Sequence, residues 1–116
     1  IKLTSAITQW GNLGGLIMGF STNNNDLIKK SMHDRIIEPI RSKLIKGFKF
    51  IKDNALDFGA IGFGISGSGP TMFALCESPD IAKRICLFSN KFYSSLDIQC
   101  DTYISKINQN GPMIIK

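Results

Sequence analysis

Cysteine and histidine are scarce in this 116-residue sequence, which has three cysteines and one histidine. Cys76, Cys86 and Cys100 are odd in number and form no CxxC pair, which argues against a disulfide framework and against a zinc site. His33 has no cysteine or second histidine at ligand spacing, so we expect it on a helix surface without a metal or catalytic role. These absences predict no metal site and favour a reducing, cytoplasmic location.

Long hydrophobic runs are absent as well. The best candidate, residues 13–20, is short and interrupted by glycine, whereas a membrane-spanning helix needs about 18 or more apolar residues. We therefore expect no membrane partner. The length suits a single domain with its own core, and the sequence contains no repeat, low-complexity tract or interdomain linker.

The charge is unbalanced, with 14 basic and 9 acidic residues and a net charge of +5. The basic excess is concentrated in residues 29–52, which is one possible nucleic-acid footprint. Phe48 and Phe50 lie there in an amphipathic pattern, with neither the alternation of an RNA-binding strand nor a helix-turn-helix signature. We expect a solvated helix face and no nucleic-acid partner. A positive field that steers small anions is an alternative that composition does not separate.

Hydrophobic periodicity predicts helices in the first half of the chain. Apolar residues spaced by three and four predict a helix over residues 6–18, whose glycines imply close packing against a neighbour. Asp26 is the predicted N-cap of a second helix with a core face reaching Ile37, and Pro39 is expected to break or kink it. Residues 48–57 predict a further helix, which Gly59 ends.

The second half predicts a sheet. Residues 60–65 and 71–76 are nearly continuous apolar runs, which predict two strands buried on both faces. Ser78 as N-cap predicts a helix through Tyr93. Residues 97–108 alternate like a strand, and residues 113–115 predict a short last strand. This order predicts an α+β sandwich, with helices on one side of an antiparallel sheet.

The turn between the two central strands has almost no side chain. It consists of Ser66, Gly67, Ser68, Gly69 and Pro70, within the sequence GFGISGSGPTMFAL. Glycine allows the main chain to approach a ligand closely, and consecutive amides form an anion-binding concavity. The alternative is an ordinary tight turn between core strands, because a glycine-rich pattern alone is a weak signal.

Two motifs together resemble a known family, the GHMP small-molecule kinases. The glycine-rich turn is similar to their third conserved motif, and the upstream segment HDRIIEPIRSKLIKGF resembles the pattern of their homoserine kinase branch. Lys46 departs from that pattern, which usually has proline there, and this alters a turn without removing a chemical group. The matching residues are Asp34, Glu38, Pro39, Arg41, Leu44, Ile45, Gly47 and Phe48, followed by Gly59 and Ala60.

The resemblance implies a fold and an activity. It implies that residues 1–116 are one GHMP kinase C-terminal domain, a ferredoxin-like sandwich, and that an N-terminal ATP-binding domain precedes it in a longer enzyme. The implied reaction moves the γ-phosphoryl group of ATP to the hydroxyl of homoserine, giving O-phosphohomoserine for threonine biosynthesis. ATP and Mg²⁺ would be bound mainly by the N-terminal half, so the isolated domain is expected to be inactive. A homodimer is one assembly that the family allows.

The resemblance also assigns roles to residues. Arg41 follows the helix break and carries a planar fork suited to a carboxylate, and the family implies that it holds the homoserine carboxylate. The alternative for Arg41 is a surface ion pair with Glu38, three residues earlier. Asp34 and Glu38 are expected to orient the break and Arg41, with no catalytic base in this chain. The turn over residues 66–70 would lie beside the substrate and the phosphates.

Two other functions stay open from the sequence. The nearer is a different GHMP kinase, although the Glu38-Pro39 pair with Arg41 suits an amino-acid carboxylate better than mevalonate or a sugar. The more distant is a noncatalytic α+β module that binds a small anionic ligand.

Overall fold

The structure, a computed structural model, describes residues 1–115 and confirms the predicted combination of helices with an antiparallel sheet. A single 3₁₀ turn, Ser42–Leu44, follows the third helix. No helix within the described residues is long and apolar enough to cross a membrane. In chain order the elements are α1 Leu3–Ser21, α2 Asn25–Ser31, α3 Glu38–Arg41, α4 Phe48–Asp57, β1 Gly62–Ile65, β2 Met72–Leu75 and α5 Pro79–Ser95.

The two strands form an antiparallel hairpin. Gly62 lies opposite Leu75 and Ile65 lies opposite Met72, which sets the register. β1 is almost fully buried, as expected, but β2 is only partly covered, and Phe73 is 44 % exposed. The prediction of burial on both faces is therefore right for β1 and wrong for β2.

The core lies between α4, α5 and the hairpin. One face of α4 supplies Phe48, Ile51 and Ala55, all at most 4 % exposed. The Phe48 ring meets Phe63 of β1 edge-on, with ring centres 5.6 Å apart. α4 follows the predicted bounds because its apolar residues recur at helical spacing, and Gly59 ends it with a φ of 104°. α4 is thus fixed by burial and provides a rigid base for neighbouring segments.

Helices α1 and α2 form a separate hairpin. Gly15 of α1 lies directly against Ser31, and a Cβ at Gly19 would lie 2.7 Å from Ile28 Cγ1. The predicted close packing is confirmed at these two glycines and is wrong at Gly11 and Gly14, which face open space. α1 has no charged residue, and seven of its large apolar side chains are at least 45 % exposed: Leu3, Ile7, Trp10, Leu13, Ile17, Met18 and Phe20.

The second predicted helix is shorter than expected. Its N-cap is Asn24, whose side chain accepts from the Leu27 N–H over 3.0 Å, while Asp26 lies in the first turn. The helix ends at Ser31 and not at Ile37. Pro39 does not break a helix here, because it occupies the first turn of the new helix α3, where its missing N–H is not needed.

The predicted strands after α5 do not form. Residues 97–115 are irregular, and the sheet of the described chain contains β1 and β2 alone. A strand needs a neighbouring strand edge to bond to, whereas this segment lies beside α5, where Asn90 Nδ2 donates to Thr102 Oγ1 over 3.1 Å. The alternation also fails as a burial pattern at Ile104, which lies on the predicted inward face and is 48 % exposed.

Candidate functional site

Asp34 fixes the start of α3. One carboxylate oxygen accepts from the N–H groups of Ile36 and Ile37, at 2.7 and 2.8 Å, and the other accepts from Glu38 at 3.1 Å. Three amides, that of the first residue of α3 and those of the two residues before it, are thereby satisfied by one side chain. This capping explains why α2 does not continue into α3, and it gives Asp34 a positioning role.

Two polar side chains of α1 hold the same segment from the other side. Asn12 Nδ2 donates to the His33 carbonyl over 2.7 Å, and Gln9 Oε1 accepts from the Arg35 N–H over 3.0 Å. The His33 side chain is exposed, as expected, but it lies on this irregular segment and not on a helix. The segment that leads into α3 is therefore attached to α1 by hydrogen bonds between α1 side chains and its own main chain.

Glu38 forms its ion pair with Lys52 of α4 and not with Arg41. The Lys52 ammonium donates to a Glu38 carboxylate oxygen, and both side chains are only 16 % exposed. Lys52 Nζ also lies 5.8 Å from the centre of the Phe48 ring. Glu38 thus joins α3 to the buried helix α4, and the alternative ion pair between Glu38 and Arg41 is not the pair that forms.

Arg41 reaches the glycine-rich turn. Its Nη1 donates to the main-chain oxygen of Ser68 over 3.1 Å, although the two residues are far apart in the sequence. The side chain is exposed. Because a guanidinium has five N–H donors, the contact leaves most of the fork available to a second acceptor.

The glycine-rich turn is tightly folded around residues 66–70. Its closing hydrogen bonds run from the Ser66 N–H to the Thr71 oxygen over 2.8 Å and from the Gly69 N–H to the Ser66 oxygen over 3.1 Å. Gly67 and Gly69 have φ values of 59° and 77°, which favour glycine, and the Gly69–Pro70 peptide bond is cis. Within residues 1–115, the amides of Gly67 and Ser68 donate to no protein acceptor.

Apolar contacts support the turn from below. A Cβ at Gly69 would lie 3.2 Å from both Ile45 Cδ1 and Ile65 Cγ2, so the main chain rests directly on these side chains. A cavity of about 190 Å³ lies between α1, the segment before α3 and the hairpin; Asp34, Glu38 and residues 63–65 are among its lining residues, whereas Arg41 and residues 66–70 are not. The site therefore combines a guanidinium and free main-chain amides, a combination suited to anionic groups.

The cysteines contribute no nucleophile to this site. Burial, with the nearby Cys86 thiol as a smaller cause, raises the pKa of Cys76, and burial, Asp101 and Cys86 raise the pKa of Cys100. Both thiols are protonated at neutral pH and are free of disulfides. Among residues 1–115 no three His, Cys, Asp or Glu side chains are grouped so as to hold a metal ion.

Sequence reasoning missed three residues of this arrangement: Gln9, Asn12 and Lys52. The sequence indicates only weakly that Lys52 is partly buried: it follows the buried Ile51 and so lies at the border of the apolar face of α4. Its partner Glu38 is 14 residues away, and no local pattern encodes that distance. Gln9 and Asn12 act on main-chain groups, which have no sequence signature.

Comparisons with known proteins give a family match and several similar proteins. Residues 16–95, more than half of the chain, match the family described as GHMP kinases C terminal. The homoserine kinase of Chlorobium phaeobacteroides is 43 % identical over 99 % of this chain, and that of Prochlorococcus marinus strain MIT 9515 is 47 % identical over 67 % of it.

A solved structure is similar over the same range. The crystal structure of homoserine kinase from Cytophaga hutchinsonii superposes with a TM-score of 0.91, at 48 % identity over 99 % of this chain. The chain covers 36 % of that protein and 37 % of the Chlorobium relative, so it spans little more than a third of the length of these proteins.

Proposed function

This chain belongs to the GHMP kinase C-terminal domain family, and we propose that the full-length protein is an ATP-dependent homoserine kinase. It transfers the γ-phosphoryl group of ATP to the homoserine hydroxyl and yields O-phosphohomoserine for threonine biosynthesis in the cytoplasm. Identity of 43 % and 48 % with homoserine kinases over 99 % of the chain supports this assignment. The observation that carries it is the placement of Arg41 against the turn at Ser68.

In this proposal Arg41 binds the homoserine carboxylate. Its planar fork forms two parallel hydrogen bonds with a carboxylate, and the bond to Ser68 fixes its direction while leaving other N–H groups free. Asp34 and Glu38 are positioning residues, because they hold the helix that carries Arg41. The carboxylate thus serves to orient the amino acid so that its hydroxyl faces the phosphate.

The turn over residues 66–70 forms part of the transfer site. Phosphoryl transfer depends on positioning and on stabilising the charge of the transferred group. The free amides of Gly67 and Ser68 are donors for that charge or for the substrate oxygens. Thr71 and Ile45 hold the turn, which lets these amides act without reorganisation.

ATP and Mg²⁺ are assigned to the rest of the protein. When bound, Mg²⁺ neutralises phosphate charge, but the described residues contain no group of three side chains that could hold it. The chain covers 37 % of the Chlorobium relative, which leaves room for an N-terminal ATP-binding domain. The isolated 116-residue chain is accordingly expected to show no kinase activity and at most weak ATP binding.

We infer that this N-terminal domain covers the exposed apolar face of α1, which has no charged residue. Trp10→Lys in the full-length protein should then lower the Tm more than Leu87→Lys, a matched change at a residue that is 71 % exposed on α5. A Tm loss that grows on dilution would instead assign the face to a second copy. Equal effects of the two variants would mean that nothing covers α1.

The test of the function is ADP release by the full-length enzyme with homoserine, mevalonate or galactose as acceptor. Homoserine-dependent release, lost in Arg41→Ala through a raised KM and retained in the exposed-residue control Arg35→Ala, is the expected result. Release with mevalonate or galactose alone would indicate another GHMP kinase. Release with none of the three, together with homoserine binding by the isolated chain, would indicate a noncatalytic binding module.

A further inference from the structure

We propose that Lys52 is a positioning residue for substrate binding, which acts through Glu38 and α3 on Arg41. This inference rests on the proposed function, since it concerns how the homoserine carboxylate is held. Lys52 has no expected contact with the substrate. Its ammonium instead fixes the helix from which the substrate-binding guanidinium projects.

Helices α3 and α4 differ in length and in how firmly the core holds them. Helix α3 has four residues, Glu38–Arg41, which is too short to be stable on its own. Helix α4 has ten residues and is fixed by the core, where Ile51 is 1 % exposed. The orientation of α3 must therefore come from contacts with other parts of the chain.

Two contacts fix the start of α3. Asp34 accepts from the Glu38 N–H, and the Lys52–Glu38 ion pair joins the same residue to α4. Arg41 is the last residue of the same turn of helix and reaches the loop at Ser68. A shift of Glu38 is therefore transmitted through a single helical turn to the guanidinium.

The burial of the pair makes it sensitive to loss of charge. Both side chains are 16 % exposed, so a Glu38 carboxylate without the ammonium would be drawn towards water. The neighbouring pair of Lys49 and Asp53 on the same helix gives a matched control, because its side chains are 86 % and 53 % exposed. Exposed pairs of that kind contribute little to stability.

The experiment measures steady-state kinetics of the full-length enzyme with Lys52→Met, Lys52→Arg and Lys49→Met. Lys52→Met should raise the KM for homoserine about tenfold, less than the roughly hundredfold that a 1 Å misplacement costs, with kcat and the KM for ATP unchanged. Lys52→Arg keeps the charge and should restore most of the affinity. Lys49→Met should stay within about twofold of wild type.

A second measurement separates this inference from the proposed function. Hydrogen exchange at the Ser66 and Gly69 amides, whose hydrogen bonds close the turn, should be faster in Lys52→Met than in wild type or Lys49→Met, because Arg41 no longer holds the turn. If the wild-type enzyme does not phosphorylate homoserine, the proposed function fails and exchange alone decides the role of Lys52. A lower Tm with an unchanged homoserine KM and unchanged exchange would overturn the inference.

Discussion

Arg41 Nη1 donates a hydrogen bond to the carbonyl oxygen of Ser68, 27 residues later in the chain, over 3.1 Å. This bond connects α3 with the turn between β1 and β2, two segments that are separated in the chain by α4 and β1. The two segments are therefore coupled: a change at α3 moves the Arg41 guanidinium, and a change in the turn moves the carbonyl oxygen that directs it.

Under the proposed function, Arg41 needs its planar guanidinium as well as its charge to bind the homoserine carboxylate. Arg41→Lys in the full-length enzyme should raise the KM for homoserine at least about tenfold, because lysine keeps the charge but loses the planar fork, and a hydrogen bond to a charged group contributes about 1.5–3 kcal/mol. We expect kcat to change little, since the lost binding is shared by substrate and transition state. Steady-state kinetics at saturating ATP measures both constants.

The control for that variant is Arg35→Lys, which changes an exposed arginine on the preceding segment. Its main-chain bond to Gln9 is unaffected by the side chain, so its constants should match wild type. If the Arg41→Lys enzyme kept the wild-type KM for homoserine, the Arg41 guanidinium would not be the group that binds the carboxylate.

Asp34 should contribute to stability more than an ordinary surface carboxylate. Asp34→Ala removes the acceptor of three amides at the start of α3, and we expect a loss of about 1–2 kcal/mol of unfolding free energy. Thermal or urea unfolding of the full-length protein measures the loss. Asp57→Ala, at the exposed end of α4, is the matched control and should be nearly neutral. Equal losses in the two variants would contradict the capping role.

Two glycines with positive φ should respond differently to alanine. Gly67 has a φ of 59° and open space around it, so Gly67→Ala should cost only the left-handed strain of about 1–2 kcal/mol. Gly47 has a φ of 76°, and a Cβ there would lie 2.6 Å from Phe92 Cζ. That ring is confined by Phe50 and Tyr93, with centres 4.9 and 5.2 Å away. Gly47→Ala should therefore cost about 1–3 kcal/mol more.

The comparison between these two variants needs only their unfolding midpoints. The same loss in both would mean that the Phe92 ring moves aside freely and that packing at the start of α4 is loose. A larger loss at Gly67 would show that the turn is under stronger conformational constraint than its surroundings indicate.

The sequence was sufficient where local chemistry decides the structure. The bounds of α4 follow from helical spacing and Gly59, and α5 begins at Pro79 after the Ser78 cap, as expected. The break after Ser31 was also encoded locally, by Asp34 ahead of Glu38, but the apolar spacing up to Ile37 favoured a continuous helix. Capping therefore outweighs hydrophobic periodicity in this segment.

The site could be predicted only in part, for a physical reason. Motif resemblance identified Arg41 and the glycine-rich turn, and the structure places them in contact. The Lys52–Glu38 pair depends on how α4 lies in the core, which is a tertiary property. Residues 97–108 show the same limit, because an alternating pattern forms a strand only where a strand edge is available.

Alkaline pH should destabilise the protein through its half-buried thiols. Burial raises the pKa of Cys76 and Cys100 above the ordinary value of 9.0, so the folded state keeps their protons at a pH where the unfolded state loses them. Below pH 9.0 these thiols are protonated in both states and their effect on the free energy of unfolding is constant. As the pH rises from 9.0 through their pKa values in the folded state, the unfolded state loses protons first and the free energy of unfolding decreases. Above about pH 9 the Tm of wild type should thus fall more steeply with pH than that of a Cys76→Ala, Cys100→Ala variant. The variant removes both thiol titrations and keeps Tyr93, whose pKa is raised by burial and, as a smaller cause, by Cys100. Parallel Tm profiles would show that these thiols ionise equally in the folded and unfolded states.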